Sequence, residues 1–215
     1  MFFRNHYGFP SDPSRVPPHA DQLSWRRIDT DWLEAAGSLA LKLDNDTNNT
    51  CLAIAIELIA TGKVLLFPGD AQVGNWLSWA ELCWPKGAKP EDPNVITAEH
   101  LLVRTVLYNV GHHASHNATL RERGLELMTS NELVALIPVD EDMARNKKHW
   151  DMPFPALLKR LEQKTKGRII RADRTVSDLK QSRNPNTISA AEWQDFLSKV
   201  SSDQNDKLYV EYRIS

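Results

Sequence analysis

Two short stretches of this chain carry residues whose types and spacing suit hydrolytic chemistry at a metal. The first is Leu65-Leu66-Phe67-Pro68-Gly69-Asp70-Ala71. It sets a carboxylate just past a glycine at the end of an apolar run, where α/β sheets present ligands. Pro-Gly-Asp is also ordinary turn chemistry. The second is Val110-Gly111-His112-His113-Ala114-Ser115-His116-Asn117, which gathers three of the chain's seven histidines behind another apolar run. Neutral imidazole is the commonest nitrogen ligand for zinc, and it needs a partner on its other ring nitrogen to fix its tautomer. A loop with one packed and two solvated histidines would have the same composition. Taken together, a hard carboxylate and borderline imidazoles at two strand ends suit a di-metal hydrolytic site. Two ligands still fall short of the three protein ligands that a catalytic zinc takes.

The elements that must position these residues follow from apolar periodicity. Residues 1–18 are rich in Pro, Arg and Asp and read as a surface arm. Trp25, Ile28, Trp32 and Leu33 have the spacing of a short helix. Residues 39–43, 51–59 and 64–67 are expected as three successive antiparallel, partly buried strands. A helix is expected over 73–82, where Trp76 and Trp79 read as core, and Thr97 should cap a short helix with His100 at its third position. Strands follow at 103–110, 133–139, 168–171 and 207–214, and helices at 117–127, 154–164 and 190–200. Strands first, then alternating helix and strand, argue an α/β fold with a mixed sheet. The expected organisation is an arm and short helix over 1–37, a central domain over 38–140 and an α/β extension over 141–215.

The Gly69-Asp70-Ala71 and Gly111-His112-His113-Ala114-Ser115 strings, each after a strand, resemble the second half of a metallo-β-lactamase-fold hydrolase. The branch most alike includes the DNA-uptake competence proteins and the phosphorylcholine esterases. The resemblance implies an αββα sandwich, of which this chain holds the C-terminal half. It implies that Asp70 bridges two metals, that His113 ligates one of them, and that His112 faces the substrate's anionic group. His112 and His116 would then orient the reacting groups. The metals implied are two zinc ions, with manganese or iron as alternatives, and the substrate is an ester or phosphoester. The family's His-x-His-x-Asp-His string does not occur here, and Ala114 replaces its usual glycine. The expected partner is therefore the missing N-terminal half of the fold, as upstream sequence, a separate chain or a second copy.

Composition narrows the remaining classes. The 215 residues are 41% hydrophobic and 25% charged, which excludes a disordered or collagen-like chain. A formal charge of −2 gives no global pull toward nucleic acid or an anionic membrane. Residues 159–183 nevertheless carry a local charge of +6. That makes a non-catalytic module binding nucleic acid or an acidic partner the alternative reading. Cys51 and Cys83 lack the spacing of a redox pair or zinc knuckle and read as reduced thiols, so the expected location is cytoplasmic. No apolar run has the length of a membrane span. Asp44-x-Asp46-x-Asn48 begins like a calcium loop but lacks the glycine and glutamate that would complete it. Ser115 lies outside any Gly-x-Ser-x-Gly elbow, and no P-loop or dinucleotide fingerprint occurs.

Overall fold

A computed structural model describes residues 50–85, 87–203 and 209–214. The arm, the short helix over 25–37, the strand over 39–43 and the polar stretch after it lie outside the described residues. Residues Asn48–Ser215 form one compact unit.

The unit is built on a mixed five-stranded sheet. Strands β1 (Ile54–Leu58) and β2 (Lys63–Phe67) form an antiparallel hairpin with Ile54 opposite Phe67. Gly62, at φ +69°, takes the left-handed conformation that the hairpin turn needs. The Arg104 guanidinium closes the turn by donating to Glu57 and to the Gly62 carbonyl. Strands β5 (Thr105–Asn109), β6 (Val134–Ile137) and β7 (Ile169–Arg171) then add in parallel, giving the order β1-β2-β5-β6-β7. Between β2 and β5 the chain forms α1 (Val73–Trp79), the short pair β3 (Cys83–Trp84) and β4 (Ile96–Thr97), and α2 (Ala98–Val103). Cys83, which directly follows the helix expected over 73–82, lies in this short pair. Because β7 pairs with β6, the sheet continues through residue 171 and takes in part of the stretch expected as an extension.

Helices α3 (Pro155–Thr165), α4 (Val176–Gln181) and α5 (Ala190–Ser198), with the hairpin of β8 (Val200–Ser202) and β9 (Val210–Tyr212), complete the unit. Their ends carry orthodox chemistry. Pro155 opens α3, where a missing N–H costs nothing. Lys166 is left-handed after its last turn, and the Gly167 N–H donates back to the Glu162 carbonyl. Thr97/His100, Thr175/Asp178 and Ser189/Glu192 form reciprocal capping boxes on α2, α4 and α5.

Two apolar clusters cover the two faces of the sheet. One gathers Leu66, Trp76, Leu102, Tyr108, Val110, Leu125 and Leu161, so α1, α2 and α3 pack on that side. Trp76 is its centre: 1% exposed, tilted on Trp79 at 4.6 Å and edge-on to Tyr108 at 6.1 Å. Aromatic pairs of this kind add roughly 0.5–1.5 kcal/mol each beyond burial. The other cluster joins Leu107, Val134 and Ile170 to Leu179 of α4 and to Trp193 and Phe196 of α5.

One expected element is absent. Residues 117–127 form turns and a single 3-10 turn at Leu125–Leu127 instead of a helix. A helix starting there would need the carbonyls of residues 117 and 118 for its own bonds. The Asn117 carbonyl instead accepts from Val73 N–H, and the Ala118 carbonyl accepts from the Trp76 indole. Gly124 then passes so close to Trp76 and the Leu120 carbonyl that any Cβ would collide with both.

Candidate functional site

Strands β2, β5, β6 and β7 run in one direction, so their C-terminal ends share one edge of the sheet. In spatial order this edge carries Asp70 after β2, His112 and His113 after β5, Pro138 after β6 and Asp173 after β7. The first two turns touch through the backbone: His112 N–H donates to the Gly69 carbonyl at 3.1 Å. Glycine is needed on both sides of that contact. Gly69 is left-handed at φ +58°, and a Cβ on Gly111 would lie 2.6 Å from the Gly69 oxygen and 3.0 Å from the Pro68 ring.

The histidine turn is strained. His112, His113 and Ala114 have φ of +44°, +52° and +59°, three successive left-handed residues without a glycine among them. Each such residue costs roughly 1–2 kcal/mol, so the surroundings must hold the turn in place. Backbone bonds do so from several directions. Ala114 N–H donates to Gly111, Ser115 N–H to His112, and Phe154 N–H to Ala114, at 2.8–2.9 Å. Val110 N–H ties the base of the turn to Leu136 of β6 at 2.7 Å.

The side chains differ in how they are held. His113 Nδ1 lies 2.7 Å from the Pro138 carbonyl. A carbonyl has no hydrogen to give, so Nδ1 donates, and in the neutral ring Nε2 carries the lone pair. That is the arrangement by which metal-binding histidines are oriented. His112 Nδ1 lies 3.0 Å from Ser115 Oγ, and the Ser115 hydroxyl donates to Asn117 Oδ1 at 2.7 Å. Asp70 is half-buried, and its carboxylate has no hydrogen-bond partner among the described residues. His116 is exposed and stands edge-on to Phe154 at 6.3 Å. The structure therefore brings Asp70, His112 and His113 to adjacent turns of one edge and sets His116 beyond them. Asp70 and His113 offer donors that suit a borderline divalent metal. Among the described residues, no three His, Cys, Asp or Glu side chains converge as a metal site.

Sequence reasoning missed three groups here: Ser115 as the partner of His112, Asn117 as the partner of Ser115, and the Pro138 carbonyl. The Ser-x-Asn spacing after the His-His pair was the only available sign. Ser115 is 3% exposed and its hydrogen is directed at Asn117, so it is poorly placed to act as a nucleophile. His100 works as a cap, its Nδ1 accepting from Thr97 N–H at 3.3 Å.

An ion-pair brace lies at the far end of the edge. Arg171 bridges Asp173 and Glu141 at 2.7 Å each, and Glu141 N–H donates to Asp173. Burial pushes the Asp173 carboxyl up, but bonds from Arg171 and the Glu141 amide outweigh it and hold the group below its ordinary range. A cavity of about 600 Å³ opens between α3, β7 and α4, lined by Lys159, Arg174 and Leu179 among others. Asp70, His112 and His113 are not among its lining residues.

Most of the basic stretch 159–183 is engaged within the chain. Arg160 and Lys164 meet Glu126, Lys166 meets Glu192, and Arg171 and Arg174 meet Glu141. Buried Arg168 donates to the Leu133 and Asn131 carbonyls, and Arg183 donates to Ile188. Among the described residues only Lys159 and Lys180 of this set lack such a partner.

Fold and site together define an α/β protein with a mixed five-stranded sheet and a histidine–carboxylate edge at its parallel strand ends. No protein-family description, curated protein or solved structure matches the chain. No helix among the described residues is long and apolar enough to cross a membrane.

Proposed function

We propose that this chain acts as the C-terminal portion of a metallo-β-lactamase-like hydrolase of esters or phosphoesters, with an active site completed by an N-terminal half. One observation carries this reading: the Asp70 and His113 turns are locked together at adjacent strand ends by the His112–Gly69 bond. The oriented Nε2 of His113 and the unpartnered carboxylate of Asp70 support it. In this reading Asp70 and His113 would help to hold two metals, while His112 and His116 would orient the substrate. Zinc suits the donor set, with manganese or iron as alternatives, and when bound it would act as a Lewis acid toward the scissile group. Cys51 and Cys83 are not joined in a disulfide, which suits a cytoplasmic setting.

The test is elemental analysis of the purified protein and of an Asp70→Ala/His113→Ala double variant. About one metal per chain in the first, lost in the second, is expected from a partial but real site. Metal retained in full by the double variant would overturn the reading. Co-expression with a half bearing His-x-His-x-Asp-His then tests activity. Hydrolysis unaffected by Asp70→Ala would remove Asp70 from its role.

A further inference from the structure

The contacts of His112 determine more than its position. Its Nδ1 faces a hydroxyl, Ser115 Oγ, which can either give or receive a hydrogen bond. The Ser115 oxygen carries a single hydrogen, and that hydrogen is directed at Asn117 Oδ1, the shorter of its two contacts. The hydroxyl can then only accept from the imidazole, so Nδ1 must be the protonated nitrogen of neutral His112. Its Nε2 is left as a lone pair. Burial strengthens the constraint: Ser115 is 3% exposed, and the left-handed turn fixes the residue three positions from His112. Solvent therefore has little access to replace either bond.

We propose that Asn117 and Ser115 are positioning residues that set the tautomer of His112, so that it presents a bare Nε2 to the site edge. This deepens the proposed function, on which its catalytic meaning rests, and it changes the role expected for His112. A neutral imidazole with Nε2 bare cannot donate a hydrogen bond to an anionic group from that atom. It can ligate a metal or take a proton from an attacking water. His112 then matches His113, whose Nε2 is freed by the Pro138 carbonyl. Two different supports, one a carbonyl and one a hydroxyl fixed by an amide, give neighbouring histidines the same outward atom.

The test is nitrogen-15 NMR of imidazole-labelled, metal-free full-length protein at about pH 9, above the usual imidazole range. A His112→Gln variant assigns the His112 signals. The expected result is the Nδ1–H pattern at both His112 and His113. Ser115→Ala should lose that pattern at His112, with Nε2–H becoming the major form, and leave His113 unchanged. The unchanged His113 signal also shows that the turn has kept its fold. Asn117→Asp, whose side chain can only accept, should retain Nδ1–H at His112. An Nε2–H pattern at His112 in the unaltered protein would overturn the proposal, because Ser115 would then be donating to the ring. Retention of Nδ1–H in Ser115→Ala, or its loss in Asn117→Asp, would overturn it as well. The readout needs neither metal nor substrate, so failure of the hydrolase reading would leave this result standing, and the reverse also holds.

Discussion

His112 and Gly69 meet through a single backbone hydrogen bond of 3.1 Å, and it joins two turns that are more than forty positions apart in the chain. The contact exists because Gly111 has no side chain. At φ −65° its backbone would accept any residue, so the restriction is one of space. Gly111→Ala should therefore force the turns apart. The expected cost is about 1–3 kcal/mol, typical of overpacking, read as a lower denaturant midpoint. Metal content should fall with it, whereas a general loss of stability elsewhere in the unit would leave metal content intact.

Ala114 offers a test with the opposite sign. Replacing a buried alanine by glycine ordinarily loses about 0.8 kcal/mol of methyl burial. Here the residue is left-handed, at φ +59°, and release of that conformation returns roughly 1–2 kcal/mol. Ala114→Gly should be neutral to slightly stabilising in chemical denaturation. A clear loss of stability would mean that the turn is not strained at this residue.

The Asp173 brace makes stability depend on pH in a defined direction. Its folded carboxyl titrates below the ordinary value of about 3.9. The associated stability is present above that value and is lost as pH falls through the lower folded one. Urea midpoints measured from about pH 6 to about pH 2 should drop at the acidic end. Asp173→Asn should flatten that drop and cost roughly 1–3 kcal/mol near neutrality, since Arg171 loses one of its two carboxylate partners.

Arg168 should matter to stability and not to ligand binding. Its buried guanidinium donates to the Leu133 and Asn131 carbonyls, and burial lowers its pKa. Arg168→Met keeps much of the side-chain volume and removes the donors, for an expected loss of roughly 1–3 kcal/mol. Lys159→Ala and Lys180→Ala together should change the unfolding free energy by less than about 0.5 kcal/mol.

The cap on α2 separates His100 from the other histidines. Thr97→Ala should cost about 1 kcal/mol. His100→Ala should leave metal content unchanged, because that ring is already used as an acceptor by Thr97 N–H.

Much of the framework was legible because it rests on local pattern. The strands at 54–58, 63–67, 105–109, 134–137 and 169–171, the Thr97 cap and the core role of Trp76 all follow from periodicity and capping chemistry. The placement of Asp70 and His113 at strand ends was equally readable. The missed features depend on distant partners. Residues 117–127 have helical spacing, but Val73 and Trp76 occupy the carbonyls a helix would need. Helix α4 is only six residues long with two buried apolar positions, and β8 is defined by its pairing with β9. The charge of residues 159–183 was visible, but the positions of Glu126, Glu141 and Glu192 that answer it were not. The Ser115–Asn117 contact also escaped, since it depends on a backbone conformation that alanine and histidine rarely adopt.

The parallel strands are laid down outward in chain order, so the two halves of the histidine turn's support are synthesised at different times. Asp70, Gly111 and His113 leave the ribosome first. The Pro138 carbonyl that orients the imidazole and the Phe154 amide that holds Ala114 follow only later. At translation rates of about 5–20 residues per second, a nascent chain passes through an interval of seconds in which His113 and Ala114 exist without these anchors. Chains that end before Phe154 would carry the full motif in sequence yet lack the bonds that turn it into a rigid edge.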